Sequence, residues 1–186
     1  MSDTIMIDET NNSVIIEETS ETVIVQAPVR LTAGYWGTFW DTTDQSAANT
    51  TTAYAITLNS ADANSDGVSV ASNSQITFAN AGVYNIQFSI QFENTNSQDH
   101  DVDVWFRKNG TDIADSNSRV TVPSKHGSVN GHVLVALNLV LQLAANDYVQ
   151  IMWATDDTAV RIETIPAAST PTRPRTPSVI VTATTV

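Results

Sequence analysis

The sequence predicts an all-β antiparallel sandwich, and three observations predict it. Thr, Val, Ile, Ser and Asn abound, while Leu, Lys and Glu are sparse for a helical chain. Several segments alternate apolar and polar residues with period two, as a strand with one buried face does. Gly, Pro, Asn and Asp punctuate the chain between those segments, which suits short strands joined by turns. The count comes to about ten strands, with no segment of helical periodicity. A chain of 186 residues is the size of one domain with an appendage, large enough to bury a core without staples.

The appendage is the N-terminal region. Ile5-Met6-Ile7 is followed nine residues later by Val14-Ile15-Ile16, and nine further on by Val23-Ile24-Val25. Two acids and a polar turn follow each of the first two triplets. The first 26 residues hold six carboxylates (Asp3, Asp8, Glu9, Glu17, Glu18, Glu21) and no Lys or Arg. Each triplet is strand-like but too short to stand alone. Regular β-branched triplets also distinguish the region from an ordinary disordered acidic tail. The expectation is an extended β arm, residues 1–29, that orders by pairing with another chain. Its contacts would be Ile5, Ile7, Val14, Ile16, Val23 and Val25. Ala27-Pro28-Val29-Arg30 reads as the joint to a domain over residues 30–186.

Within that domain, residues 34–43 form an aromatic-rich first strand, and short strands are expected at 54–58, 68–70 and 75–78. The clearest alternation comes next. Tyr84, Ile86, Phe88, Ile90 and Phe92 interleave with Asn85, Gln87, Ser89 and Gln91. Val102, Val104 and Phe106 repeat the pattern before Asn109-Gly110, a pair that tolerates the positive φ of a tight hairpin turn. Val133, Val135, Leu137, Leu139, Leu141 and Leu143 share one face. After Asn146-Asp147, Val149, Ile151 and Trp153 share another. A short strand at 160–165 precedes Pro166, Pro171, Pro174 and Pro177, whose density predicts a surface loop. Residues 178–184 close the sandwich. The predicted core is Tyr84, Ile86, Phe88, Ile90, Val104, Phe106, Val133, Val135, Leu137, Leu139, Val149, Ile151 and Trp153.

Composition narrows the function. Eight Lys+Arg stand against twenty Asp+Glu, a net charge of −12, which argues against nucleic acid and against an anionic membrane surface. The longest apolar stretch, 133–145, is broken by Asn138 and Gln142, so no membrane insertion is expected. Acids stand near the N-terminus where a secretory leader would carry Lys or Arg, and a soluble protein without such a leader is expected. There is no cysteine, hence no disulfide and no thiolate nucleophile. A charged fraction of only 15% suggests that uncharged polar surface meets other subunits.

Three segments resemble a known pattern. Phe78-Ala79-Asn80-Ala81-Gly82-Val83-Tyr84-Asn85-Ile86-Gln87-Phe88 resembles the F…pG.Y.F segment of C1q/TNF-like jelly rolls. Val104-Trp105-Phe106-Arg107-Lys108-Asn109-Gly110 is similar to their following strand and its Asn-Gly turn. Leu141-Gln142-Leu143-Ala144-Ala145-Asn146-Asp147-Tyr148-Val149 is similar to their L..GD.V turn, with Asn146 in place of Gly. The resemblance covers residues 34–186 and implies an antiparallel jelly-roll sandwich assembled as a homotrimer, with binding surfaces on its outer loops. The sequence departs from secreted animal members: it has no collagen-like Gly-X-Y stem and no disulfide. With an acidic repeat in front, it looks more like the jelly-roll domains of tailed-phage virion proteins.

Several constellations could carry chemistry. Asp62-Ala63-Asn64-Ser65-Asp66-Gly67 matches the opening of a D-x-[DN]-x-[DN]-G calcium loop. The twelfth position is Asn73, however, not the bidentate Glu, so an Asn/Asp turn is expected and no metal. Asp99, Asp101 and Asp103 would share one face of a strand, with His100 on the other. They would serve as a solvated strand start, or as carboxylates bridging subunits or holding Ca²⁺. His100, His126 and His132 fall in separate segments with no zinc-site spacing. Ser and Thr are so numerous that one beside a histidine carries little information. There is no Gly-rich phosphate loop. Tyr35, Trp36, Phe39 and Trp40 could serve the core, a subunit interface or carbohydrate stacking, with Tyr35 and Phe39 on one face and Trp36 and Trp40 on the other.

The expectation is a non-enzymatic virion protein with no cofactor. It would be made in the host cytoplasm as a trimeric tail or head fibre or spike, joined to other virion proteins by its arm and in reach of a host-surface glycan or protein. A capsid decoration protein and a soluble C1q-like carbohydrate-binding protein are the alternatives.

Overall fold

The period-two segments fold as strands in the order the sequence implies. The computed structural model describes residues 4–8, 13–18, 21–23 and 34–186, and no helix occurs among them. The chain divides into two units, Met1–Ala33 and Gly34–Val186. Residues 27–30, read as the joint, lie outside the described residues, as does Val25.

The first unit holds β1 (Thr4–Asp8), β2 (Ser13–Glu18) and β3 (Glu21–Val23), paired as an antiparallel three-stranded sheet in that order. This corrects the expectation of an extended arm. A nine-residue spacing is one short strand plus one turn, so each triplet finds its main-chain partner in the next triplet of the same chain. The register sets Ile5 opposite Ile16 and Ile7 opposite Val14, while Ile16 lies opposite Val23 on its other side.

The second unit begins with β4 (Trp36–Asp41), followed by the two-residue strands β5 (Gln45–Ser46), β6 (Tyr54–Ala55) and β7 (Ser60–Ala61). Next come β8 (Val68–Ala71), β9 (Gln75–Phe78), β10 (Gly82–Asn94), β11 (His100–Lys108) and the short β12 (Thr111–Asp112). Then follow β13 (Ser118–Val122), β14 (Gly131–Leu143), β15 (Tyr148–Thr155) and β16 (Val160–Ile162). The chain ends with a two-residue hairpin, β17 (Ala168–Ser169) with β18 (Thr172–Arg173), and with β19 (Val179–Thr185). The segment expected as a strand over 54–58 is shorter than the sequence suggests. The proline-rich loop is interrupted by the hairpin, and β13 has no counterpart in the sequence reading.

Two seven-stranded antiparallel sheets result. In the first, β10 pairs β14 along its whole length; its other edge is shared between β19 and β16, and β19 pairs β4. In the second, β11 pairs β15 on one side and β12 and β13 on the other, while β15 leads through β9 to β8. Most successive long strands change sheet: β9 lies in the second, β10 in the first, β11 in the second, β14 in the first, β15 in the second and β19 in the first.

The inward faces of both sheets share one core. Phe88 meets Phe106, Phe92 meets Trp153, and Phe78 meets Tyr84 with ring centroids 4.5–5.7 Å apart. Of the predicted core, ten residues are buried as expected. Val133, Leu137 and Leu139 are only half-buried, because β14 is flanked by a strand on one side alone among the described residues. At Asn109-Gly110 both residues take positive φ (49° and 82°), the geometry that a two-residue hairpin turn demands.

One carboxylate is buried with the apolar residues. Asp41, at the inward-facing end of β4, accepts from the Thr43 N–H and hydroxyl (2.8 and 2.6 Å), the Asn59 amide (3.1 Å) and the Thr57 hydroxyl (2.9 Å). Those four donors replace the water it loses on burial.

Candidate functional site

The outward face of the first sheet is where the sequence departs from an ordinary solvated surface. Side chains alternate along β14, β10, β19 and β4, and the register lines their outward positions into rows: Asn138 beside Gln87, Thr182 and Thr38, and Ala136 beside Ser89, Ile180 and Trp40. No Asp, Glu, Lys or Arg occupies an outward position of β14 between Leu134 and Gln142. The same holds between Val83 and Gln91 on β10, from Ile180 to Thr184 on β19, and at Trp36, Thr38 and Trp40 of β4. Leu134 is 55% exposed and Val140 52%, two large aliphatic side chains on the same outward face. The far edge of β14 has no strand partner among the described residues.

This face takes up part of the aromatic group singled out in the sequence. Phe39 is in the core and Tyr35 packs against it. Trp36 and Trp40 turn outward and are half-buried beside Thr184 and Ile180 of β19.

One end of the same face is charged. Glu93 lies opposite His132 in the β10–β14 register and opposite Arg161 in the β10–β16 register. The Glu93 carboxylate is buried and accepts from the Asn130 amide and the Arg161 guanidinium, each at 2.5 Å. Glu163, one residue beyond β16, is held by its N–H on the Gln91 carbonyl. Its carboxylate stands 3.3 Å from His132 Nδ1 and 3.8 Å from Arg161, and Asp44 lies 3.5 Å from Arg161. Burial, and then the Glu93 carboxylate, push the Glu163 carboxyl above its ordinary value against the pull of His132 and Arg161. One ligand atom from each of Glu93, His132 and Glu163 falls within 4.8 Å of the others. Spacing along the chain could not reveal this group, since strand register assembles it from three segments.

The other sequence candidates stay apart. Asp62 Oδ1 accepts the Asn64 N–H (2.8 Å) and side-chain amide (3.1 Å), capping its own turn, while the Asp66 backbone pairs with Trp36. Each acid of the 99–103 segment has a separate partner. Asp99 accepts the Ser124 N–H, Asp101 the Thr121 hydroxyl, and Asp103 the Arg119 guanidinium and the Asn117 amide. His100 stands between Asp156 (3.1 Å) and Asp157 (3.3 Å). His126 bridges to Val129 through its backbone.

A depression of about 360 Å³ on the second sheet, lined by Asp103, Trp105, Asp112, Ile113 and Asn117, is a further feature. Its indole N–H is already donated to Asp112 (2.8 Å), which also accepts from Arg107 (2.7 Å). No family model matches the chain, and no curated protein matches it.

Proposed function

We propose that the chain is a non-enzymatic, self-assembling structural protein: a homotrimer of C1q/TNF-like jelly rolls carried on the virion of a tailed phage as a short tail or head fibre or spike. The observation that carries self-assembly is the outward face of β14, β10, β19 and β4, uncharged away from its Glu93–Arg161 end, with Leu134, Val140 and Ile180 exposed on it. Depletion of charge at the centre of a surface is what distinguishes an interface. A long apolar edge strand left open is a liability that pairing or packing with another copy removes. The jelly-roll reading draws support from the strand orders β4-β19-β10-β14 and β8-β9-β15-β11-β13, with successive long strands wrapping from sheet to sheet.

The virion assignment rests on the resemblance and on the acidic β repeat. In this reading β1 and β3, each with one strand partner among the described residues, are the edges through which the segment 1–29 anchors to another virion protein. Residues Ile5, Ile7, Val14, Ile16, Val23 and Val25 supply its apolar positions. A decoration protein is the competing assignment, and copy number separates the two: hundreds per particle for decoration, a few dozen or fewer for an appendage.

Light scattering on the purified protein tests the assembly. The expected mass is three times the 20.0 kDa of one chain. Leu134→Lys combined with Val140→Lys should give a folded monomer, because those side chains do not contribute to the core. A wild-type monomer at micromolar concentration would overturn the reading.

A further inference from the structure

We propose that Glu93, His132 and Glu163 form a binding site for a divalent cation of the zinc class, which ties the edge strand β14 to β10 and to the segment following β16. Three lines of geometry point to it, none of which depends on the trimer.

The first is the way two of the groups face each other. Glu163 Oε2 is buried and has no hydrogen-bond partner, although His132 Nδ1 lies only 3.3 Å away. The pair lies within hydrogen-bonding distance yet makes no hydrogen bond, and its separation is one that two ligands of a single ion share. Two ligands about 2.0–2.1 Å from a tetrahedral zinc ion are themselves separated by about 3.3 Å.

The second is charge. Glu93, Glu163 and Asp44 bring three carboxylates around the guanidinium of Arg161 and the imidazole of His132, an excess of acidic over basic groups where Glu93 is almost wholly buried. Unbalanced buried charge is costly, and one divalent ion cancels it.

The third is pre-organisation. Glu93 and His132 are register partners on adjacent strands, and the Glu163 backbone is hydrogen-bonded to β10. Asn130 and Arg161 fix the Glu93 carboxylate and still leave each of its oxygens a lone pair, as the outer partners of a metal ligand do. His132 is half-exposed, which opens a path from solvent and leaves room for water to complete the coordination. An imidazole among the donors favours zinc over calcium or magnesium.

The test uses the full chain after treatment with EDTA and dialysis. Zn²⁺ at about a hundredfold excess over its dissociation constant should raise the melting temperature by about 5–10 °C. Calorimetric titration should give one ion per chain, with Ca²⁺ and Mg²⁺ producing no comparable shift. Glu163→Gln and His132→Asn should each abolish the Zn²⁺ response, while Asp62→Asn should retain it. Nuclear magnetic resonance of the wild-type imidazoles keeps the test independent of how the variants fold: stoichiometric Zn²⁺ should move the His132 signals and spare those of His100 and His126. Absence of stoichiometric binding, an equal response to Ca²⁺, a Zn²⁺ shift retained in both ligand variants, or unmoved His132 signals would each overturn the proposal.

Discussion

Phe88 of β10 and Phe106 of β11 meet across the sandwich with ring centroids 5.4 Å apart and planes inclined at 56°. The tilted contact joins the middle of one sheet to the middle of the other, and both rings are buried. Phe88→Ala should therefore cost about 3–5 kcal/mol, the lost transfer energy plus the cavity left behind. Urea denaturation should show a lower midpoint with an unchanged slope. A loss below about 1 kcal/mol would mean that the two sheets do not share this core.

Strand β10 was legible in the sequence because it has neighbours on both edges, so each apolar residue of its alternation is buried. The same alternation in β14 overstated burial at Val133, Leu137 and Leu139, since periodicity reports which face a residue is on but not whether the strand has a second neighbour. β13 escaped notice because Ser118-Arg119-Val120-Thr121-Val122 mixes one Arg and two hydroxyl residues into five positions. The Glu93–His132–Glu163 group was illegible for a different reason. Its members are 31 to 70 residues apart in sequence, and only the β10–β14 register and the return of the chain at β16 bring them together. The nine-residue repeat was visible, but its pairing was not, because β-branched triplets serve equally as partners for another chain or for one another.

Gly131, at the start of β14, is the position least able to accept a side chain. A Cβ there would run into the Pro123 carbonyl, backbone that cannot swing aside, and Gly131 is itself buried. Gly131→Ala should cost about 3 kcal/mol, at the upper end of over-packing penalties. Gly127 is the contrast. Its φ is +61° but nothing lies near its Cβ position, so Gly127→Ala should cost only the backbone term of about 1–2 kcal/mol. Thermal melts of the two variants side by side check the ordering, and equal losses would contradict it.

Asp147 gives the fold an acid-sensitive turn. The Lys108 ammonium, the Asn109 side-chain amide and the Ala144 N–H all lie 2.7 Å from its carboxylate and hold its pKa down to about 2, against an ordinary 3.8. Because the folded value lies below the unfolded one, the unfolded chain takes up the proton first as pH falls. The contribution is therefore complete above about pH 4 and is lost as pH falls through about 2. Asp147→Asn should lower stability at neutral pH and flatten the decline between pH 4 and 2. A variant that keeps the wild-type slope in that window would show that the turn does not carry it.

The N-terminal segment offers the prediction most closely tied to function. Among the described residues the buried core lies in Gly34–Val186, and Met1–Ala33 is a unit of its own. Removing residues 1–26 should therefore leave the cooperative melt of the sandwich in place. What the deletion takes away is a small sheet in which β1 and β3 each have one strand partner among the described residues. Three strands of three to six residues bury little by themselves, and acids repeat through the segment. Such a sheet gains most from a partner already fixed in place, which adds main-chain hydrogen bonds at an open edge while the Ile and Val positions set the register. On the proposed virion assignment, the expected outcome is a truncated protein that folds normally but is not incorporated into the particle. Complementation with the truncated gene, followed by mass spectrometry of purified virions, measures this directly. Incorporation at the wild-type level would show that the segment is not the anchor.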